Sequence, residues 1–436
     1  MNWKNRFPKR WHPVLTKLVA ARLAFFNFIS LGLLKTTDAL ILLFLIPIII
    51  SRVGIDNFGI IAFAQVGLNY GRTFVDYGFN ISGVRQIALA QKEKRSFSEL
   101  FFQVLYCKAF IAILFTIGLC LLIYWIPFLQ NKASAFYWGL WLVVGQIFFA
   151  DWFFIGLQKS YLLTIANLII KCVFALFIWF GIQEEADYIY VLAFQGGATA
   201  LIGILVTLYI VWQFKLRFQW PRGRVIKAYL QSDFRLLGTN LAIEMNSSYS
   251  LLVLNVLMGD AITGYFNVMY RLVQPLRFLL IIFSQTIFPI ICAKTKEGWL
   301  ALKTFLQNAF LLFVAFPLIG VLGLMFFAEP IFLYFAGTVN PELLYSLRLY
   351  LIVPIIILAN IPAYQVLLAY ELKSAYASIY LIGVIFNLIT AYVLTRFFGL
   401  NGLIVSVLLV ETLTCVGLYI MVKKHFKQIT KAVEVL

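Results

Sequence analysis

Residues 99–126 read ELFFQVLYCKAFIAILFTIGLCLLIYWI, an apolar run that hardly any charge interrupts. At a rise of about 1.5 Å per residue, such a run coiled as a helix crosses a hydrocarbon layer of roughly 30 Å. Similar runs recur along the whole chain, at about 24–51, 57–83, 134–157, 160–182, 187–213, 228–257, 261–292, 301–328, 343–369, 374–398 and 401–422. In lipid every backbone N–H and C=O must be paired inside the protein, and continuous rather than alternating apolar runs select helices over a barrel. The sequence therefore predicts an all-α integral membrane protein of about twelve transmembrane helices.

Composition agrees. Of 436 residues, 63% are hydrophobic and 12% charged, with a mean hydropathy of +0.93, whereas soluble domains carry roughly a quarter charged residues. The net charge of +17 does not point to nucleic acid, because the Lys and Arg residues gather in the short segments between apolar runs. One side of the expected membrane collects Lys4 to Arg22, Arg85, Lys92 to Arg95, Lys159, Lys215 to Lys227, Lys294, Lys296, Lys373 and the basic tail. The other side shows mainly Arg52, Lys132, Arg348 and Arg396, with the acidic Glu184, Glu185 and Asp187. An even number of crossings and the excess of basic residues on the cytoplasmic side predict cytoplasmic termini. The basic amino terminus before an apolar run has the look of a signal peptide. No small-residue cleavage site follows, however, and Lys35 and Asp38 interrupt the run, so it is expected to stay as the first helix.

The five cysteines lie in apolar stretches without a CxxC pair, and His12 and His425 lie in the tails. Neither inventory supports a metal centre or histidine-based catalysis in the membrane. No Walker A or Gly-x-Gly-x-x-Gly string is present, and the loops are too short for a membrane-surface enzyme, so no catalytic role and no cofactor are expected.

The longest basic connection, FKLRFQWPRGRVIK, lies at mid-chain and divides an amino-terminal six-helix bundle (1–214) from a carboxy-terminal one (228–436) through a linker (215–227). A weak internal repeat supports the division. NFGIIAFAQVGLNYGRTF laid over TGYFNVMYRLVQPLRF brings Gly59 onto Gly264, Asn69 onto Gln274 and Arg72 onto Arg277. Equivalent helices run in the same direction, which makes this a parallel repeat about an axis along the membrane normal.

Charges at mid-bilayer depth cost roughly 2.5–3.5 kcal/mol and therefore face a bundle interior or a wet cavity. Lys35, Asp38, Arg72, Asp76, Lys171, Glu244, Arg271, Arg277 and Glu411 fall in or near the middle of their spans, and Asp151 nearer an end. Lys35 with Asp38 and Arg72 with Asp76 have the spacing of ion pairs on one helix face. Arg271 and Arg277 have no acid at helical spacing, which suits an anionic ligand. Arg72, Lys35 and Lys171 are further candidates for that ligand, and Asp38, Asp76, Glu244 and Glu411 are candidates for ion pairing or for coupling to H+ or Na+.

The strings ADWFFIGLQKSYLLTIANLIIKCVFALFIWFGIQEEADYIYV (150–191) and VDYGFNISGVRQIA (75–88) resemble the polysaccharide flippases, the O-antigen repeat-unit translocases of the multidrug/oligosaccharidyl-lipid/polysaccharide exporter superfamily. GDAITGYFNVMYRLVQPLRF and QTIFPIIC in the second half are similar to the same family. Asp151, Trp152 and Gly156 carry the DWFF-x-G motif, although Ile155 stands where the family commonly has Gln. The resemblance implies two six-helix bundles around a central cavity that opens alternately to either side of the bacterial inner membrane. It also implies undecaprenyl pyrophosphate-linked glycan as cargo, and a polysaccharide polymerase and chain-length regulator as partners. A cation-coupled drug exporter of the same superfamily is the main rival, and a glycan polymerase a weaker one.

Overall fold

The apolar runs fold as helices, and their breaks fall at residues that a helix tolerates poorly. The computed structural model describes residues 12–220 and 223–425, with the side chains of 12–40, 42, 223–228, 247, 296 and 308–316 outside the description. The first half comprises α1 (His12–Asp76), α2 (Phe79–Lys92), α3 (Ser98–Trp125), α4 (Pro127–Gln130), α5 (Ala133–Gly139), α6 (Trp141–Phe148), α7 (Asp151–Gly156), α8 (Ser160–Gly181) and α9 (Tyr188–Gln213). After the non-helical stretch 214–220 come α10 (Gly223–Lys294), α11 (Trp299–Phe326), α12 (Ala328–Ala336), α13 (Pro341–Tyr350), α14 (Val353–Ala369) and α15 (Lys373–Lys424).

Three of these helices are double. α1 turns at Gly54 (φ 80°, ψ 165°), α10 at Gly259 (φ 80°, ψ −172°) and α15 at Gly399 (φ 58°, ψ −139°). Such dihedrals are open essentially to glycine alone. Counted without these breaks, eight helical stretches are long and apolar enough to cross a membrane, or nine with α11 and α12, which meet at 74°, taken as one broken span. Split at the three glycines, these nine stretches become twelve, one for each run read from the sequence. The near-identical dihedrals of Gly54 and Gly259 sit at matching positions of the internal repeat.

The halves of the chain touch at two glycines that the sequence alignment matched. α1 against α10 is the principal contact between them, and its closest point is reciprocal. A Cβ on Gly59 would overlap the carbonyl oxygen of Asp260, and a Cβ on Gly264 would overlap that of Ile55. The two helices therefore cross backbone to backbone, as small residues permit in membranes. Beside the crossing, Lys132 pairs with Asp260, which also accepts from Asn255 Nδ2 at 2.8 Å.

The exterior is apolar. Along α3, Ile113, Leu114, Ile117, Leu121 and Leu122 are each more than half exposed, a continuous greasy stripe that water would not tolerate and lipid does. One buried apolar cluster runs through both halves, from Ile46, Phe58 and Leu68 to Leu254, Met269 and Leu403. Connections are short, and at the start of α13 Asn340 accepts from the amide of Leu343 at 2.7 Å, with Pro341 in the first turn.

Candidate functional site

Between the halves lies a cavity of about 480 Å³. α1 lines it with Ala62, Gln65, Val66 and Asn69. The limb of α10 before Gly259 adds Glu244, Asn246 and Ser248, the limb after it Asn267, Arg271, Gln274 and Arg277, and α15 adds Asn387 and Glu411. Along α1 and α10 the lining residues fall between the glycine crossing at one end and a second set of contacts at the other. There Asp233 accepts from the Ser82 hydroxyl, Tyr77 Oη donates to the carbonyl of Leu230 at 3.0 Å, and Tyr229 Oη donates to Gln86 Oε1 at 2.6 Å. The cavity is thus at mid-height of the bundle.

Arg271 and Arg277, both on α10, line the cavity, but their partners differ. Arg271 Nη2 donates to Gln65 Oε1 of the other half at 2.8 Å and its Nε to Asn267 Oδ1 at 3.2 Å. Among the described residues no carboxylate forms an ion pair with it, so its charge is held by neutral amides. Arg277 Nη2 stands 3.4 Å from Glu411 Oε1, while Glu411 Oε2 accepts from Asn360 Nδ2 at 3.4 Å. These distances are long for a charge-assisted bond, and the acid comes from α15 rather than from helical spacing.

Arg72 lies beside the cavity rather than on its lining. Its Nε donates to Gln146 Oε1 at 3.1 Å, and it interacts electrostatically with Glu244, which does line the cavity. The Arg72 to Asp76 pair expected from helical spacing does not form. Asp76 instead pairs with Lys108 at 3.0 Å and accepts the Gln146 amide at 2.8 and 2.9 Å. Helical spacing permits a pair but does not impose it, and here a cation from α3 competes successfully.

Lys171 is on α8, which packs on α1, α7 and α9, and it is not among the lining residues. The side chains of Lys35 and Asp38 lie outside the described residues. The DWFF motif does not reach the cavity either. Asp151 Oδ1 accepts from the Trp152 amide at 2.9 Å, Trp152 packs on Gly83 of α2, and Gly156 lets α7 approach Ile87 and the carbonyl of Val84. Phe153, fully buried, meets Phe97 and Phe214 edge to face. The motif is a packing joint between α7 and α2.

Two buried cations escape a reading of the sequence. Lys108 and Lys132 are 1% and 6% exposed. Lys108 stands a third of the way into the 99–126 run, a depth that marks it as intramembrane. Lys132 falls in the connection between α4 and α5, where its contact with Asp260 and its position over the rings of Phe63 and Phe128 leave no trace in local sequence.

A family model described as polysaccharide biosynthesis protein matches residues 25–295. The chain belongs to that family. Two proteins each named "Putative O-antigen transporter" are similar to it. The one from Escherichia coli (strain K12) is 24% identical over 89% of this chain and 94% of its own length. That from Shigella dysenteriae is 22% identical over 89% and 97%. Among solved structures, an inward-facing multidrug resistance MATE family transporter of the MOP superfamily superposes with a TM-score of 0.70 at 12% identity, covering 93% of this chain and 99% of that one. The lipid II flippase MurJ, in an inward closed conformation, gives 0.66 at 13% identity over 96% and 91%. This member of the family thus has the all-α membrane fold of those carriers, and its relatives are named as transporters rather than enzymes.

Proposed function

We propose that the protein carries undecaprenyl pyrophosphate-linked oligosaccharide repeat units, of O-antigen or a similar surface polysaccharide, from the cytoplasmic to the outer leaflet of the bacterial inner membrane. Alternating opening of its two halves drives the passage, with both termini in the cytoplasm. The observation that carries this reading is Arg271, a guanidinium at mid-height whose hydrogen bonds go to Gln65 and Asn267 and not to an acid. A buried cation left to neutral amides keeps its full attraction for phosphate oxygens. Arg277 shares Glu411 with Asn360, and Arg72 offsets Glu244, so the three arginines and two glutamates together retain one positive charge. Asn69, Asn246, Gln274 and Asn387 line the same space and offer the donors and acceptors that sugar hydroxyls require. The names of the Escherichia coli and Shigella relatives support the same cargo class.

Glu244 and Glu411 favour a second reading, a cation-coupled exporter of small molecules, in which these acids take up H+ or Na+. The two are separated by charge removal. In vesicles holding the purified protein and a labelled lipid-linked oligosaccharide, Arg271→Ala and Arg277→Ala are expected to cut translocation by about tenfold or more, the worth of one charge-assisted hydrogen bond, with partial recovery in the lysine variants. Unchanged translocation by both alanine variants refutes the proposal.

A further inference from the structure

We propose that Lys108 and Gln146 are positioning residues that keep Arg72 out of an ion pair with Asp76 and leave its terminal nitrogens open beside the cavity, an inference that rests on the anionic-headgroup reading above. Four residues apart on one helix, Arg72 and Asp76 should meet, the more so where little water screens them. What prevents this is a chain of contacts running inward from α1. Lys108, 1% exposed, directs its three N–H donors to Asp76 Oδ1 at 3.0 Å, the carbonyl of Phe149 at 3.2 Å and that of Gln146 at 3.3 Å. Its donor capacity is then full. Asp76, neutralised from that side, accepts the Gln146 side-chain amide on both oxygens, at 2.8 and 2.9 Å.

Only the NH2 end of Gln146 can face a carboxylate, so the amide orientation follows from chemistry and not from shape. Its Oε1 is thereby turned to Arg72 and accepts from Nε at 3.1 Å. Gln146 thus acts as a spacer: it anchors the guanidinium through one nitrogen and holds the carboxylate one amide away. The terminal nitrogens of Arg72, the pair that grips phosphate in a fork, make no hydrogen bond among the described residues. Asp151 lies within electrostatic reach of Asp76 and Lys108, so Lys108 is the cation that meets the acids on this side of Gln146.

Among the described residues the second half shows no such chain. Ile281 follows Arg277 where Asp76 follows Arg72, and Arg277 is met by Glu411 instead. The device is therefore specific to the amino-terminal half, and the two matched arginines are set differently.

The test measures binding of undecaprenyl pyrophosphate in detergent to the purified full chain. Lys108→Met frees Asp76 to take Arg72 and is expected to weaken binding about tenfold or more. The double variant Lys108→Met with Asp76→Asn removes both charges, preserves an acceptor for Gln146, and is expected to bind within about twofold of the unaltered protein. A coupling role for the Asp76 charge would give no such rescue, and Gln146→Glu, which leaves the Lys108 to Asp76 pair in place, separates the inference from a simple structural ion pair. Unchanged binding by Lys108→Met, or loss that the double variant does not repair, overturns the inference. Should Lys108→Met not reach the membrane, Gln146→Glu brings a carboxylate onto Arg72 without touching Lys108 and must weaken binding equally; unaltered affinity there overturns it too. Arg72→Ala separates this failure from that of the underlying reading: if it binds the probe normally, the anionic-headgroup role of Arg72 falls first, and the inference with it.

Discussion

Asp187, in the short connection between α8 and α9, shows how a single carboxylate sets local order outside the membrane. It accepts from the backbone amides of Gln183 at 2.8 Å and Glu184 at 3.0 Å, and these bonds hold its carboxyl below the usual carboxylate range. The folded value being the lower one, the contribution is full above the unfolded value, about 3.9, and is lost as pH falls through the folded one. Hydrogen exchange checks this. The protection of Gln183 and Glu184, taken as a ratio to that in Asp187→Ala at the same pH, should be largest at about pH 6 and shrink as pH falls below about 3.9; a flat ratio contradicts it. This turn was legible as acidic and polar. The intramembrane charges were legible by depth alone: Arg271 and Arg277 stood out in the sequence, yet the partners of Asp76 and Asp260, Lys108 and Lys132, come from other helices and connections. Spacing along one helix reports only neighbours on that helix, so pairing between helices was beyond its reach.

At the scale of elements, the glycines divide into those that permit contact and those that merely occupy a helix. Gly59 and Gly264 are packed against each other's helix backbones. Neither carbonyl can move aside as a side-chain end would, so Gly59→Ala or Gly264→Ala must push α1 and α10 apart, at about 1–3 kcal/mol each. At Gly118 in α3, by contrast, nothing lies within 4 Å of where an added Cβ would stand, and Gly118→Ala should raise stability by about 0.5–1 kcal/mol. Unfolding of the purified variants in detergent measures both, and equal effects at the two kinds of site would refute the crossing. The alignment of Gly59 with Gly264 was visible in the sequence as a repeat. Its cause was not, because a repeat shows that two positions are equivalent without showing that they touch. The number of spans was readable for the opposite reason: the thickness of the bilayer fixes run length, whatever the helices later pack against.

For the whole molecule, the cavity lies between two sets of contacts joining the halves: the glycine crossing with Lys132 and Asp260 at one end, and Ser82, Asp233, Tyr77 and Tyr229 at the other. The alternating access proposed above has to break one set while keeping the other, and the sequence shows no nucleotide-binding string. In that proposal the charge of the cargo supplies the work. In a cell with a negative interior, outward movement of an anionic headgroup is favoured by about 2.3 kcal/mol per charge per 100 mV. Translocation to the outer leaflet of vesicles oriented like the cell should therefore accelerate when a potassium diffusion potential makes the interior, the donor side, negative, and slow when the sign is reversed. A cationic small-molecule cargo requires the opposite dependence. Arg271→Ala should lower the rate at either sign without inverting the response, since the moving charge belongs to the cargo and not to the arginine. A response of reversed sign refutes the anionic cargo outright, and a rate indifferent to potential refutes the electrical drive.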